Sequence, residues 1–491
     1  MSAHHFEHRG VIEGFYGTPW AHEDRLHAIE QLGGCGMNRY VYAPKDDPLH
    51  RARWREPYPQ ESLRRFAELV ACGARAGVEV GFAISPGLSI RYSAADERRA
   101  LCEKLRGFQS LGARFFGLCL DDVPSALAHA EDRAAFASLA AAHVALAHEV
   151  RGALGAGSTL WLVPTDYLGT EPTDYLDELG RGLDRAIEVG WTGRTVCSPT
   201  IALAEAHARA AVLRRRVLIW DNVPVADGPM RPMLHLPPYV GRAADLAESV
   251  SGVLLNPMQH ARASGLTLRC AAAYLADPRG YDAERAWQAA AAALGAGAPE
   301  AFALFARAHR YSPQTPDDRD SELETLIARV QGALRAGADP RDALDALRAA
   351  LAARAAVGDA LRQGLRDRRL LAEIEPWIAS HAAETRRMSA ALDLLAALEA
   401  EGPRKDAVFA CFGYATRTQE PPPAQVSYGP RRLLYPQLVS MRDDAMGFGA
   451  DPWLVRGRCL SDELVALADA QAEARLGADA KTASETRRGR A

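Results

Sequence analysis

The 491-residue chain lacks paired cysteines: its eight cysteines are scattered singly, with no CxxC among them. That spacing suits reduced core thiols and fits neither a disulfide frame nor a cysteine zinc site. There is no glycine-rich phosphate turn of the GxGxxG or Walker type, which removes the usual support for a nucleotide-binding open sheet. No apolar run is long enough to span a bilayer, and the opening MSAHHFEHRG has no apolar leader segment. A cytoplasmic location is therefore the expectation. A surplus of cations is also missing. The net charge of −4 and pI near 6.4 give no electrostatic reason to expect nucleic acid or an anionic membrane as partner. What remains is an ordinary globular composition, 48% hydrophobic and 24% charged, on a chain long enough for about two or three domains.

One stretch organises the rest. In FFGLCLDDVP (115–124) an apolar run from Phe115 to Leu120 ends at two adjacent carboxylates, Asp121 and Asp122. A short apolar run of this kind reads as a fully buried strand. Two carboxylates at its end cannot both ionise cheaply unless something polar or cationic faces them. Such a pair can yield one acid with a raised pKa beside one base that stays ionised. The plainer alternative makes one Asp a helix cap and leaves the other solvated.

The first half of the chain repeats short β-branched or aromatic runs between longer amphipathic segments. Candidate strands are Gly10–Phe15, Arg39–Ala43, Val78–Ile84, Phe115–Leu120, Thr159–Val163, Ala186–Trp191, Val217–Trp220 and Gly252–Leu255. Their spacing of roughly 30 to 40 residues is that of βα units. A (β/α)₈ TIM barrel is the predicted α/β fold, with a doubly wound open sheet as the alternative. Nearly every strand exit carries chemistry: Glu13-Gly14-Phe15-Tyr16-Gly17, Lys45-Asp46-Asp47, Asp121-Asp122, Asp166-Tyr167, Trp220-Asp221-Asn222 with Asp227 behind, and Asn256. In a barrel these exits converge on one face. Carboxylates, Asn and Lys suit a hydroxyl-rich ligand, while Trp and Tyr offer faces to a sugar ring. A carbohydrate-cleaving barrel follows from that chemistry, with Glu13, Asp166, Asp221 and Asp227 all open as nucleophiles.

The motifs GVIEGFYGTPW (10–20), YVYAPKDDPLHRARWREPY (40–58), AISPGLSI (83–90), FFGLCLDDVP, PTDYLGT (164–170), WTGRTVCS (191–198), IWDNVPVAD (219–227) and GVLLNP (252–257) resemble glycoside hydrolase family 84. These are the β-N-acetylglucosaminidases that include the O-GlcNAcases. The likeness runs from Gly10 to about Asp282 and implies a (β/α)₈ barrel. It implies a retaining exo-enzyme that removes terminal β-linked GlcNAc, with O-GlcNAc on Ser or Thr as substrate, and needs neither cofactor nor metal. It also implies substrate-assisted catalysis through an oxazoline, an exception to the usual pair of catalytic carboxylates. Asp121 would then polarise the acetamido N–H, and Asp122 would act as general acid and then base. By the same match Gly14, Lys45, Tyr167, Trp220, Asn222, Asp227 and Asn256 are substrate-binding, with Tyr167 and Trp220 around the acetamido group. Trp54 and Tyr58 are expected to pack, and Cys119 to be a buried thiol. Two departures stand out. The small domain that often precedes the family's barrel is expected to be absent, since the first strand begins at Gly10. The loop Gly228–Pro238 is rich in Pro and Met. Rival readings are a β-N-acetylglucosaminidase for chitin-, peptidoglycan- or hyaluronan-derived sugars, and a carbohydrate-binding protein with a lapsed site.

The expected organisation is a catalytic barrel over 1–280, an α-helical bundle over 281–403, a mixed segment of unknown role over 404–475 and a disordered tail over 476–491. Ala, Leu, Arg and Glu with helical periodicity mark the bundle. Asp339-Pro340 and Ser461-Asp462-Glu463 read as helix starts, and Glu420–Pro423 as a break.

Overall fold

Eight short runs that alternate inward and outward side chains pair in sequence order, and the last pairs with the first. In a computed structural model, which describes residues 5–400, 404–418, 428 and 459–477, they form a closed parallel barrel. Its strands are β1 (His8–Glu13), β2 (Arg39–Tyr42), β3 (Glu79–Ile84), β4 (Phe115–Cys119), β5 (Thr159–Val163), β6 (Ile187–Trp191), β7 (Val217–Asp221) and β8 (Val250–Leu255). Each predicted strand is present. Three end earlier than expected, at Glu13, Tyr42 and Cys119, because the chain turns there into the loops that carry the site.

The two-residue period places one set of side chains in the barrel interior. Ile12, Val41, Ala43, Ala83, Phe115, Cys119, Trp161, Val163, Leu218, Trp220 and Leu254 form that core. Gly117 belongs to the packing: a Cβ there would stand 2.5 Å from the Trp161 ring, so the small residue admits the indole. Helices such as α1 (His22–Gly34) and α2 (Gln60–Ala76) cover the outside. Helix α2 buries Phe66, Leu69 and Cys72 and ends at Gly77, whose φ of 72° closes the helix in the left-handed region. Phe66 joins Tyr42, Tyr58, Phe82 and Phe108 in an aromatic cluster.

The chain divides into two units. The first holds the barrel, within residues 1–228 and 238–287. The second, whose described residues are 229–237, 288–400, 404–418, 428 and 459–477, is mostly helical. Its helices include Ser321–Ala336, Arg341–Ala355, Arg368–Glu399, Arg404–Arg417 and Leu460–Leu476. They enclose Leu323, Leu344, Leu347, Leu351, Met388, Leu392, Leu395 and Leu464. Asp320 caps Ser321–Ala336 through the Leu323 N–H and takes Arg354 at 2.8 Å, both side chains buried. The helix expected at Asp339-Pro340 begins at Arg341, with Asp339 accepting the Arg341 N–H at 3.0 Å. The break expected at Glu420–Pro423 and all but the first two residues of the tail expected over 476–491 lie outside the described residues. No helix among the described residues is long and apolar enough to cross a membrane.

Buried histidines set a pH limit on stability. Burial lowers His50, His143 and His381 to about 3 and His260 to about 4. In the unfolded chain each titrates near 6.5. Below that pH the unfolded state takes up protons that the folded state refuses, so stability falls as pH drops from about 6.5 toward 4. Each group contributes up to about 1.4 kcal/mol per pH unit. Urea titrations at pH 7.5 and 5.0 should show a lower midpoint at pH 5.0. Equal midpoints would mean that these rings are protonated in the fold.

Candidate active site

The site is built where β4 ends. Leu120 keeps its backbone bond to Val163 at 2.9 Å, and then Asp122 adopts a φ of 51°. A left-handed conformation in a residue other than glycine costs about 1–3 kcal/mol. It also breaks the strand's alternation, so that neighbouring carboxylates serve different partners.

Asp121 is 6% exposed. Its Oδ2 accepts from Lys45 Nζ at 2.5 Å, while its Oδ1 is buried without a hydrogen-bond partner. Asp122 takes a different pair of donors: Tyr16 on Oδ2 at 2.8 Å and Tyr167 on Oδ1 at 3.0 Å. Lys45 Nζ lies 4.0 Å from Asp122 Oδ2 and 5.6 Å above the Trp220 ring. Burial alone would neutralise Lys45, but the two carboxylates outweigh it and raise its pKa.

The pair is split, as two adjacent acids should be, but in the opposite sense to a simple acid at position 122. Burial raises the Asp121 carboxyl above its ordinary value, against the pull of Lys45, and the Asp122 charge adds to the rise. Burial works the same way on Asp122, but there Lys45 and the hydrogen bonds from Tyr16 and Tyr167 prevail and hold it below the carboxylate range. In the free site Asp122 is thus the better-held anion.

A second chain of contacts forms the wall. Trp220 Nε1 and Asn256 Nδ2 both donate to Asn222 Oδ1 at 2.9 Å, and Asn222 Nδ2 donates to the Val196 carbonyl at 2.7 Å. The Gly14 N–H donates to Asn256 Oδ1 at 3.2 Å. A Cβ on Gly14 would meet the Trp220 ring at 2.4 Å, so only glycine lets the β1 exit lie against the indole. Asp227 Oδ2 accepts the Tyr16 N–H at 2.9 Å. Every residue nominated from the sequence therefore joins one linked set: Gly14, Lys45, Asp121, Asp122, Tyr167, Trp220, Asn222, Asp227 and Asn256.

Two candidate nucleophiles are spoken for by the fold. Glu13 is fully buried; it takes Arg25 through both oxygens at 2.8 Å, the Trp20 N–H at 2.9 Å and the Tyr40 hydroxyl. Asp221 is clamped by Arg242 at 2.5 and 2.8 Å and by Tyr239 at 2.7 Å. Asp166 accepts the Thr173 hydroxyl at 2.7 Å. Trp54 is fully buried, and Tyr58 donates to Asp47 at 2.7 Å within the aromatic cluster. Cys119 is fully buried, and burial pushes its thiol far from ionisation.

Sequence reasoning passed over Tyr16 and Arg51. Arg51 donates to the Tyr16 hydroxyl at 2.8 Å and to the Asp122 carbonyl at 3.2 Å. Both lie inside the quoted motifs, and Tyr16 stands at a strand exit. That position was the signal available.

A family model described as beta-N-acetylglucosaminidase matches residues 9–307. The chain belongs to the β-N-acetylglucosaminidase family. It is 37% identical over 254 residues to the Protein O-GlcNAcase of Rattus norvegicus and, equally, to that of Mus musculus, a match covering 50% of this chain and 28% of each relative. The match thus spans little more than a quarter of those relatives' length. Among solved structures, a mutant of a Thermobaculum terrenum O-GlcNAc hydrolase superposes with a TM-score of 0.81 at 30% identity, covering 99% of this chain and 97% of that one. The β-N-acetylglucosaminidase match takes in the eight strands, apart from His8 at the start of β1, and the whole linked set of site residues.

Proposed function

We propose that this chain is a retaining exo-β-N-acetylglucosaminidase that removes O-GlcNAc from Ser or Thr of proteins by substrate-assisted catalysis. The observation that carries the reading is the unpartnered, buried Oδ1 of Asp121, whose other oxygen is neutralised by Lys45. A buried acceptor without a donor is costly. An acetamido N–H supplies that donor, and the partial negative charge it gains sharpens the amide oxygen as a nucleophile.

In the first step the acetamido oxygen bonds to the anomeric carbon as the glycosidic C–O bond breaks. Asp122 gives its proton to the departing oxygen, and an oxazoline forms. In the second step Asp122, now a carboxylate, takes a proton from water. That water bonds to the anomeric carbon, the C–O bond to the oxazoline breaks, and the acetamide is restored with net retention. Asp122 must be protonated for the first step although the free site favours its anion. Substrate supplies the correction: when the Tyr167 hydroxyl turns to the acetamide, Asp122 loses one stabilising donor and loses water, and both changes raise its pKa. Gly14, Trp220, Asn222, Asp227 and Asn256 shape the wall and floor that grip the pyranose.

The test compares an aryl β-N-acetylglucosaminide with the matching β-glucoside, and an O-GlcNAc peptide with a chitin disaccharide. The acetamido sugar should be cleaved at least about 10²-fold faster than the glucoside, because the glucoside has no internal nucleophile. The peptide should be preferred over the disaccharide. Equal rates on the two aryl sugars would remove the role given to Asp121. Cleavage of neither would leave a sugar-binding protein, and preference for the disaccharide would move the substrate to free oligosaccharides.

A further inference from the structure

Asp122 is held more asymmetrically than its place in a proton shuttle requires. Around its carboxylate stand Asp121 on the same exit, Tyr16 from the β1 exit, Lys45 and Arg51 from the β2 exit, and Tyr167 from the β5 exit. The two tyrosines are not equivalent. Tyr167 donates to Oδ1 at 3.0 Å and, in the proposed function, is the hydroxyl that turns to the acetamido group. Tyr16 reaches Oδ2 and has its own hydroxyl oxygen occupied by Arg51 Nη1 at 2.8 Å. With an arginine donating to that oxygen, the tyrosine's single proton is directed to Asp122. Arg51 also donates through Nη2 to the Asp122 carbonyl at 3.2 Å, the peptide that follows the left-handed φ. The Tyr16 backbone is tied independently by Asp227 at 2.9 Å. Arg51 therefore fixes both the backbone of Asp122 and the donor on one of its oxygens.

We propose that Tyr16 and Arg51 form a positioning pair that reserves Oδ2 of Asp122 and leaves Oδ1 as the oxygen that exchanges the proton with leaving group and water. The proposal rests on the reading of Asp122 as acid and base. Neither partner touches the sugar in this scheme. Their effect is to stop the carboxyl from rotating and to favour its anion, which is the form the second step needs.

The test uses Tyr16→Phe, which keeps the ring, and Arg51→Met, with Arg51→Lys as a charge-preserving control. Removing a hydrogen bond to a carboxylate raises its pKa, so the basic limb of kcat/KM, which reports the acid in the free enzyme, should move up. A shift of about one pH unit is expected for Tyr16→Phe. The loss in kcat should be about tenfold on alkyl glycosides and smaller on an aryl glycoside with an acidic phenol. The Kd for free GlcNAc and the melting temperature should stay near wild type. Arg51→Met should shift the limb in the same direction, and the double variant should shift it by less than the sum of the two single variants, because the Tyr16 bond depends on both residues while the Arg51 charge also acts on Asp122 directly. Arg51→Lys should fail to restore the wild-type profile, since one ammonium cannot make both bonds of the fork. An unmoved basic limb in Tyr16→Phe overturns the pair. So does a loss of equal size on all leaving groups with weakened GlcNAc binding, which is damage to the pocket. Asp122→Ala on the same substrates separates the two failures. If its loss does not depend on the leaving group, the role of Asp122 itself falls; if it does, only the positioning pair is rejected.

Discussion

Asp122→Ala should cost about 10²- to 10⁴-fold in kcat on glycosides with an alkyl leaving oxygen, the range that a positioned general acid contributes. The loss should shrink toward the low end on an aryl glycoside whose phenolate leaves without help. The reason lies in how the two carboxylates divide the work. Asp121 is buried, one oxygen on Lys45 and the other unpartnered, which is the arrangement that the proposed role of accepting an acetamido N–H calls for. Asp122 is the one turned by its φ of 51° toward the tyrosine hydroxyls. Alanine at 122 also leaves those hydroxyls without an acceptor, so Asp122→Asn is the cleaner partner. Asn tolerates the left-handed region, keeps an acceptor for one tyrosine and still cannot supply the proton. Steady-state rates on paired alkyl and aryl substrates, with thermal melts of both variants, check this. A leaving-group-independent loss in the well-folded Asn variant would show that position 122 holds the sugar and transfers no proton.

Much of this arrangement is legible in the chain. Strands of a parallel barrel are buried on both faces, so they print as short apolar runs, and the eight runs lie within about two residues of the eight strands. The exits stand out because Lys45, Asp121, Tyr167 and Asn222 recur with aromatic neighbours at strand ends that a barrel brings to one face. Three features were hidden, each for a physical reason. The left-handed φ of Asp122 has no residue signature, since aspartate is common at strand ends in any conformation. The use of Glu13 and Asp221 as structural anchors depends on Arg25 and Arg242, and sequence order does not say which arginine folds back onto which acid. The direction of the pKa split is set by the burial of Asp121 and, on Asp122, by Lys45 and then by two tyrosine donors 106 and 45 residues away, Tyr16 and Tyr167. A double-Asp motif announces that two acids are coupled and leaves open which one the fold favours as the anion.

Lys45→Met is the substitution that should disturb the site most broadly, and its signature is a dependence on pH. Lys45 is 5% exposed and is the ammonium that lies 2.5 Å from Asp121 and 4.0 Å from Asp122. Methionine keeps the volume of the stem and removes the charge. Two buried, adjacent carboxylates would then face each other with only hydroxyl donors and the half-buried Arg51 nearby. Breaking a buried ion pair by deleting one partner costs about 3–5 kcal/mol when the remaining charge cannot be relieved. Here it can be relieved, because Asp121, already raised by burial, can take a proton. A carboxyl whose folded pKa lies above its unfolded value contributes stability below the unfolded pKa and loses it as pH rises through the folded one. The deficit of Lys45→Met against wild type should therefore be small near pH 5 and grow toward pH 8. A protonated Asp121 cannot accept the acetamido N–H as an anion, so kcat should fall by at least about 10² at pH 7, by the loss of one preorganised electrostatic contact. Part of that activity should return as the variant is assayed at higher pH, where Asp121 ionises again, up to the pH at which Asp122 can no longer hold its proton. Melting curves and rate profiles over that range test both halves. A stability deficit that is flat with pH, beside an activity loss that is equally flat, would mean that the ammonium acts on the sugar alone and that the two carboxylates are kept apart by the rest of the site.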